Sequence, residues 1–249
     1  MRRALAALTL CLPLLAYGGS VELSQGVDAL SGDRPAWRAT AVEALWTGER
    51  GAAAGFAVRE LSRFGRDDVE LAASGQAPVG GFLLALEGSA SPTWWFLPRW
   101  AAGLRLERAI AAGWIASAGV RAARYESDLT RSTPIFASAG LERYWGRWRA
   151  AATTTAVELG NQWSGSGRLA LDLFYGDGDE GRVGVSAAAG RELESLGQGQ
   201  LLRSNVLAAA VAGSHPLRGA WAMTWELSAQ RQGDLYTRIG GRLGLRRRF

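Results

Sequence analysis

Few residues of this chain could do chemistry, and the positions of the most reactive ones limit what that chemistry could be. The chain has one histidine, His215, and one cysteine, Cys11. The segment from His215 to Gly219 has the composition of a turn. Hydrolases that use a serine or cysteine nucleophile need a general base close by, most often histidine. A single turn histidine makes a hydrolytic triad a poor fit, so the sequence predicts a protein without enzymatic activity and without catalytic residues.

The only cysteine lies in an N-terminal targeting segment. Met1 to Arg3 is a positive region and Ala4 to Ala16 is apolar. Small residues follow at Gly18, Gly19 and Ser20. This arrangement predicts a secretory signal peptide over residues 1–19, since the apolar run is too short to span a bilayer. The mature domain, residues 20–249, would then contain no cysteine for a disulfide or a thiolate metal site.

Two other clusters have both a chemical and a plainer interpretation. Asp177-Gly178-Asp179-Glu180 has the composition of a calcium loop but lacks the longer ligand spacing of such loops, so it favours a polar hairpin turn. No metal or cofactor is predicted. Thr93-Trp94-Trp95-Phe96-Leu97 could bind sugar or lipid, but it is more typical of an outer aromatic girdle.

The last stretch of the chain, Leu235 to Phe249, indicates the architecture. Every second residue from Leu235 is mostly apolar, while the alternate residues include four arginines. This period of two over such a length is that of a transmembrane β-strand with an apolar face towards lipid and a polar face towards a lumen. A terminal phenylalanine resembles the signal that outer-membrane barrels present to their assembly machinery, although Arg247 stands where that signal usually has a second aromatic residue.

The rest of the mature chain divides into strand-like segments separated by turn signals. Together they predict an all-β fold, a single antiparallel transmembrane β-barrel of fourteen strands, with twelve as the alternative. Long connections at 90–97, 127–134, 160–167 and 193–203 all fall on the predicted outer side, as expected of such barrels. The predicted strands are Val21–Leu30, Ala36–Trp46, Ala53–Arg63, Val69–Ser74, Phe82–Ser89, Arg99–Arg108, Trp114–Glu126, Ile135–Tyr144, Trp148–Leu159, Arg168–Tyr175, Arg182–Glu192, Ser204–Gly213, Trp221–Gln230 and Leu235–Phe249.

Alternation within these segments assigns charged side chains to the lumen. The last strand is expected to pair with Val21–Leu30 at the seam and to direct its arginines at carboxylates such as Glu226. Such side chains either form ion pairs that plug a narrow bore or form a charged ladder that selects solutes. The candidate lumen-lining residues are Glu87, Arg105, Glu107, Glu142, Asp172, Glu226, Arg238, Arg242 and Arg246.

The amino-acid composition indicates which classes of partner are expected. The chain has 11 Trp and 5 Tyr, residues that favour membrane interfaces. Its net charge of +5 is spread along the chain without a basic patch, and the protein is predicted to be exported, so nucleic acid is not an expected partner. The expected partners are outer-membrane lipid and lipopolysaccharide, together with the barrel-assembly machinery, which would engage Phe249. The oligomeric state is left open.

Several motifs resemble the YaiO family of outer-membrane β-barrels. The most specific is Arg231-Gln232-Gly233-Asp234-Leu235-Tyr236-Thr237-Arg238, between Trp225-Glu226-Leu227 and Gly244 to Phe249. Supporting motifs are Arg63-Phe64-Gly65, Glu142 to Gly146, Tyr175-Gly176-Asp177 and Gly190-Arg191-Glu192. The resemblance covers nearly the whole mature chain and implies a barrel in the cell outer membrane. The family has no well-established biochemical activity, so the resemblance transfers no catalytic residue.

These observations predict an outer-membrane barrel with a structural or narrow-pore role. One alternative is an outer-membrane enzyme that acts on lipid or glycan, for which a mechanism using carboxylates alone is left open. Another is a transport or interaction partner for an exported polysaccharide.

Overall fold

The computed structural model describes residues 18–126, 131–176, 180–197 and 200–249, and nearly all of them lie in β-strands. The first strand begins at Gly18, one residue before the end of the predicted signal peptide, residues 1–19; residues 1–17 lie outside the described ranges. Within these ranges the helical residues are a short 3-10 turn at Glu49–Gly51, and no helix has the length and apolarity to cross a bilayer.

Fourteen long strands form one closed antiparallel barrel, which confirms the predicted fold and strand number. Each strand pairs with its neighbours in the chain, and the barrel closes where β1 pairs with β15. This seam pairing, for example Glu22 opposite Arg246, is also as predicted. A two-residue strand, β8, adds to the end of β7 in the connection to β9. The strands are β1 (Gly18–Leu30), β2 (Trp37–Thr47), β3 (Ala53–Arg63), β4 (Arg66–Val79), β5 (Phe82–Ala90), β6 (Trp100–Ala111), β7 (Trp114–Glu126), β8 (Arg131–Ser132), β9 (Ile135–Trp145), β10 (Trp148–Leu159), β11 (Gln162–Tyr175), β12 (Gly181–Gly197), β13 (Gln200–Pro216), β14 (Trp221–Gln232) and β15 (Tyr236–Arg248).

The barrel has two rims that differ in their connections. One rim holds both chain ends, Gly18 and Phe249, and is called here the terminal rim; the opposite one is the distal rim. Tight turns such as Gly80-Gly81 and Gly146-Arg147 join strands at the terminal rim, and three of these four residues are glycines with positive φ. Glycine adopts this left-handed conformation without the steric clash of a Cβ atom, which suits it to two-residue hairpins.

The distribution of apolar side chains is the inverse of that in a soluble protein. Leu169, Leu207 and Ile239 on the outer wall are each more than 60% exposed, whereas Glu22 and Asp172 on the inner wall are buried. Large apolar side chains fill the outer wall because successive residues of a strand point to opposite faces. Such a wall is stable when lipid covers it, and the polar inner wall then surrounds a lumen.

Two of the predicted long connections are wrong. The segment 160–167 is mainly strand, because β10 and β11 meet in a tight turn at Gly160-Asn161 and Gln162 already pairs with Leu159. Its glycines and serines suggest a loop, yet the ladder with β10 keeps them extended, with Trp163 outward and Ser164 inward.

The segment 193–203 is also strand for most of its described length. β12 and β13 continue to pair with each other beyond Gly190 and Val206, where their pairing with β11 and β14 ends. A two-stranded hairpin therefore projects from the distal rim at this point. The prediction located the outward excursion correctly but assigned it the wrong secondary structure.

Aromatic side chains form a belt on the outer wall close to the terminal rim. They lie within the first or last few residues of strands that reach this rim, on the same face as the lipid-facing leucines. A belt of this kind is typical of a membrane–water interface, where an aromatic ring contacts both lipid and water. Its members are Trp46, Phe82, Trp114, Trp145, Trp148, Tyr175, Trp221 and Phe249.

Candidate functional site

The inner wall is the candidate functional site, and strand register determines which side chains line it. Directly opposed residues of antiparallel neighbours share a face, so an inward position on one strand identifies inward positions on the next. Glu22 opposite Glu43 and Asp172 opposite Gly184 are examples. The register places on this inner face all of the candidate residues Glu87, Arg105, Glu107, Glu142, Asp172, Glu226, Arg238, Arg242 and Arg246.

The inward arginines of β15 form ion pairs with carboxylates, but most of these carboxylates are not the predicted Glu226. Arg246 contacts Glu22 across the seam at 2.7 Å, and Thr224 donates a hydrogen bond to the same carboxylate at 2.9 Å. Arg238 lies 3.4 Å from Asp28, also on β1. Only Arg242 approaches Glu226, at 3.8 Å. The seam is therefore closed by ion pairs on the lumen side in addition to its backbone ladder.

One ion-pair group joins three neighbouring strands, β9, β10 and β11. The Arg149 guanidinium donates to Glu142 at 2.8 Å and to Asp172 at 2.9 Å. The Tyr144 hydroxyl donates to the same Glu142 carboxylate at 3.1 Å. Arg182 approaches Asp172 from β12 at the longer distance of 3.9 Å. Arg149 is thus the shared counter-charge of two carboxylates, of which Asp172 has only the more distant Arg182 besides, among the described residues.

A second group lies across the lumen on β2, β3 and β4. Arg59 donates to Glu43 at 2.9 Å and to Glu70 at 3.0 Å. Neither Arg59 nor Arg149 is among the predicted lumen-lining residues, although both occupy inward positions of alternating strands. Extending the alternation rule to every strand would have found them, but only the register shows which carboxylates they contact.

Cavities within the lumen show that these ion pairs do not fill it. Two cavities of about 530 Å³ each lie in the lumen, one against β1 to β7 and β15 and the other against β2 to β7, β9 and β10. Both are lined by Gly55, Ser74, Glu87 and Arg121. The side chain of Glu87 is 60% exposed and that of Arg105 is 54% exposed, although both lie on the inner face. The middle of the lumen therefore offers polar, water-accessible space.

The distal mouth is narrowed by the connection between β5 and β6. Asp68 lies near the distal end of β4, with its side chain on the inner face, and is fully buried. Its carboxylate accepts hydrogen bonds from the backbone N–H groups of Trp95, Phe96 and Leu97, at 2.8 to 2.9 Å. The predicted outer girdle at Thr93 to Leu97 is thus folded onto the lumen side of the rim.

Beside this connection, aromatic rings and arginines contact one another along the distal mouth of the lumen. The Arg63 guanidinium lies 5.5 Å from the Phe96 ring and 4.8 Å from the Trp37 ring. Arg238 and Tyr236 on β15 contact the same tryptophan, at 5.4 and 5.7 Å. Cations over aromatic faces are attracted by the ring quadrupole, so this cluster stabilises the narrowed mouth.

The only histidine is outside the lumen. His215 is the penultimate residue of β13 and not part of the turn that follows, which differs from the predicted turn position. It lies on the outer wall, where its Nδ1 is 2.9 Å from the Tyr175 hydroxyl. Of the predicted acidic turn, Asp177 to Asp179 lie outside the described residues, and Glu180 pairs with Arg248 at 2.8 Å. No group of side chains suited to a metal ion occurs in the described ranges.

Solved structures with a similar fold share little sequence identity with this chain. An anion-selective porin from Comamonas acidovorans has 11% identity and a TM-score of 0.51, over 93% of this chain and 98% of that chain. OccK3 (OpdO) of Pseudomonas aeruginosa has 9% identity and a TM-score of 0.51, over 93% of this chain and 95% of that chain. At these identities the likeness shows the fold alone. A sequence comparison with curated proteins gives no match.

The family assignment rests on a sequence model. The family described as the YaiO membrane β-barrel domain matches residues 19–194, which is more than half of the chain. The match includes the motifs at Arg63, Glu142 and Gly190 that suggested the resemblance. Together with the closed fourteen-stranded barrel, it shows that this chain belongs to the YaiO family of membrane β-barrels.

Proposed function

We propose that this chain is an outer-membrane barrel, exported through its N-terminal signal peptide, with the terminal rim facing the periplasm. The apolar outer wall and the family assignment support a membrane location. An even strand number returns both chain ends to one side, as in bacterial outer-membrane barrels. Phe249 ends the chain beside Gly19 on the outer wall, 61% exposed, where assembly machinery could engage it.

Cell fractionation tests the location and the assembly signal together. The expected result is a heat-modifiable band in the outer-membrane fraction, and less of it when Phe249 is deleted. Recovery of the wild-type chain as a soluble periplasmic protein would overturn the proposed location.

Arginines at the terminal rim favour contact with anionic lipid headgroups. Arg143 lies 5.0 Å from the Trp114 ring and Arg247 lies 5.7 Å from the Trp221 ring, both on the outer wall. Arginine at this depth can hold its apolar stem against lipid and its charge at the headgroups. Arg247, which replaces the usual aromatic residue before the end of the chain, therefore lies over a tryptophan of the aromatic belt. Slower insertion of the Arg143→Gln variant than of the wild type into vesicles with anionic lipid, followed by the heat-modifiable band, would support this contact, and equal insertion would contradict it.

The barrel's role is that of a narrow, water-filled pore. The observation that carries this proposal is the exposure of charged inner-wall side chains, such as Glu87 and Arg105, around cavities of about 530 Å³ each. A lumen filled by its own ion pairs would bury these groups. Because the distal connection narrows one mouth, small ions are the expected solutes.

Planar-bilayer recording of the purified barrel is the direct test. We expect small, discrete current steps in potassium chloride, well below those of wide porins. A fully folded preparation that gives no steps above the baseline would contradict the pore and favour a purely structural barrel.

We propose further that the barrel is not an enzyme. Among the described residues His215 faces outward and lies within hydrogen-bond distance of the Tyr175 hydroxyl, away from the carboxylates of the lumen, so none of those carboxylates orients it as a general base. We expect the purified barrel and its His215→Ala variant to behave alike in phospholipid and glycan hydrolysis assays. Turnover by the wild type that the substitution abolishes would establish an enzyme instead.

A further inference from the structure

One lumen arginine, Arg168, differs from its neighbours because it makes no ion pair with a carboxylate of the described residues. Arg168 lies near the middle of β11, opposite Thr153 of β10, on the inner face. Its only hydrogen bond within the described residues goes to the Ser186 hydroxyl, at the long distance of 3.3 Å. Arg149 and Arg246, by contrast, contact carboxylates at 2.7 to 2.9 Å. A guanidinium has five N–H donors, so most of those of Arg168 remain available.

Arg168 lines a separate small cavity on this side of the lumen. The cavity has a volume of about 160 Å³, and its floor is made by small residues such as Ala170, Gly184 and Ala210. Hydroxyl groups of Thr153 and Ser186 also line it. Since one water occupies about 30 Å³ of liquid, the space is suited to a few waters or to one small oxyanion.

The charges around this cavity favour an anion. Arg149, Arg168 and Arg182 line it, together with the carboxylates Asp172 and Glu226. Asp172 already accepts from Arg149 at 2.9 Å and lies 3.9 Å from Arg182. Glu226 is 3.8 Å from Arg242 of the neighbouring strand β15. After these pairings the charge left over is that of Arg168, with Arg182 only loosely neutralised.

We propose that Arg168, with the hydroxyls of Thr153 and Ser186, forms a binding site for a small oxyanion on the lumen wall, about halfway between the two rims. This site is called here the station. The guanidinium can donate two parallel hydrogen bonds to the oxygens of a phosphate-like anion, and the hydroxyls can donate to the remaining ones. The proposal rests on the pore described above for its role in permeation, because an ion that pauses at this station slows those that follow it. The binding itself requires only a folded barrel with water in its lumen.

The test combines two measurements on the full barrel, with inorganic phosphate as the probe. In planar bilayers we expect phosphate to reduce the chloride current in a saturable manner for the wild type. For the Arg168→Gln variant the unitary conductance should persist and the phosphate affinity should fall by about tenfold or more, the factor that corresponds to 1.4 kcal/mol. Isothermal titration calorimetry of the detergent-folded barrel measures the same affinity without any current.

Two variants act as controls. Arg191→Gln removes the same charge from the outward face of β12, in the hairpin that projects from the distal rim, and should leave phosphate binding unchanged. Arg168→Lys keeps the charge but not the planar fork, so it should retain only part of the affinity. Folding of each variant is verified by its heat-modifiable band.

The outcomes separate the station from the pore. Phosphate binding that Arg168→Gln abolishes in a barrel without current steps supports the station and contradicts the pore. Current steps without phosphate binding, or equal binding by wild type and Arg168→Gln, overturn the station and leave the pore standing. Equal losses in Arg168→Gln and Arg191→Gln would also overturn it, since they would reflect net charge alone.

Discussion

Replacing Arg149 with alanine is expected to lower the free energy of unfolding by about 2 to 4 kcal/mol, because it leaves two lumen carboxylates without their shared counter-charge. Glu142 and Asp172 accept from Arg149 at 2.8 and 2.9 Å, and their side chains are only 21% and 10% exposed. Removal of one partner of a buried pair commonly costs about 3 to 5 kcal/mol, and access to water in the lumen reduces that cost. Asp172 would keep only Arg182, at 3.9 Å.

The measurement is the folded fraction in lipid vesicles across a urea titration, read from the heat-modifiable band. Arg168→Ala is the matched control, since it removes the same side chain from the next strand, where no carboxylate depends on it. A triple variant that adds Glu142→Gln and Asp172→Asn to Arg149→Ala should recover part of the loss, because the isolated charges are gone. Equal urea midpoints for Arg149→Ala and Arg168→Ala would show that the ion-pair group adds nothing specific to stability.

Replacing Asp68 with alanine is expected to release the connection that narrows the distal mouth and so to raise the unitary conductance of the proposed pore. Asp68 is fully buried and accepts three backbone hydrogen bonds from Trp95, Phe96 and Leu97. Hydrogen bonds to a charged group contribute about 1.5 to 3 kcal/mol each. Together the three bonds contribute a free energy comparable to the roughly 5.5 kcal/mol that shifts a two-state equilibrium from 1:99 to 99:1, here from the released to the bound arrangement of the connection. The variant should therefore populate mainly the released arrangement.

Single-channel recording tests this change, with Asp67→Ala as the matched control. Asp67 precedes Asp68 in β4 and lies on the outer face, so its removal changes the net charge equally without touching the connection. We expect a larger conductance for Asp68→Ala and the wild-type value for Asp67→Ala. An unchanged conductance in both variants would mean that the connection does not limit the flow of ions.

Much of the barrel was predictable from sequence because each strand carries its own evidence. Alternation of apolar and polar residues places Leu169 and Asp172 on opposite faces without knowledge of any partner strand. Turn glycines such as Gly80 and Gly146 mark the hairpins, and an even number of strands brings the ends together. The errors came where local composition and pairing disagree: Ser164 and Gly165 look like loop residues, but the ladder with β10 holds them in a strand.

The contacts in the lumen were less predictable, because alternation assigns a face but not a height along the barrel. Arg246 and Glu22 are separated by nearly the whole chain, and they meet only because β15 closes the sheet against β1 in one register. The same holds for Arg149, which is placed between its two carboxylates by the pairing of three strands. Asp68 could not be recognised as the anchor of the distal connection, since its partners are backbone groups of residues from a different part of the chain.

The sequence by itself therefore determined the class of protein, a membrane β-barrel, and its family; it favoured fourteen strands over twelve and assigned the alternating positions of its strands to the two faces. These properties depend on period, turn chemistry and motifs, which are local. Only the tertiary structure decided which charges neutralise each other, that water-accessible space remains in the lumen, that the distal mouth is narrowed, and that Arg168 lacks a carboxylate. These properties depend on strand register and closure, which set distances between residues far apart in the chain.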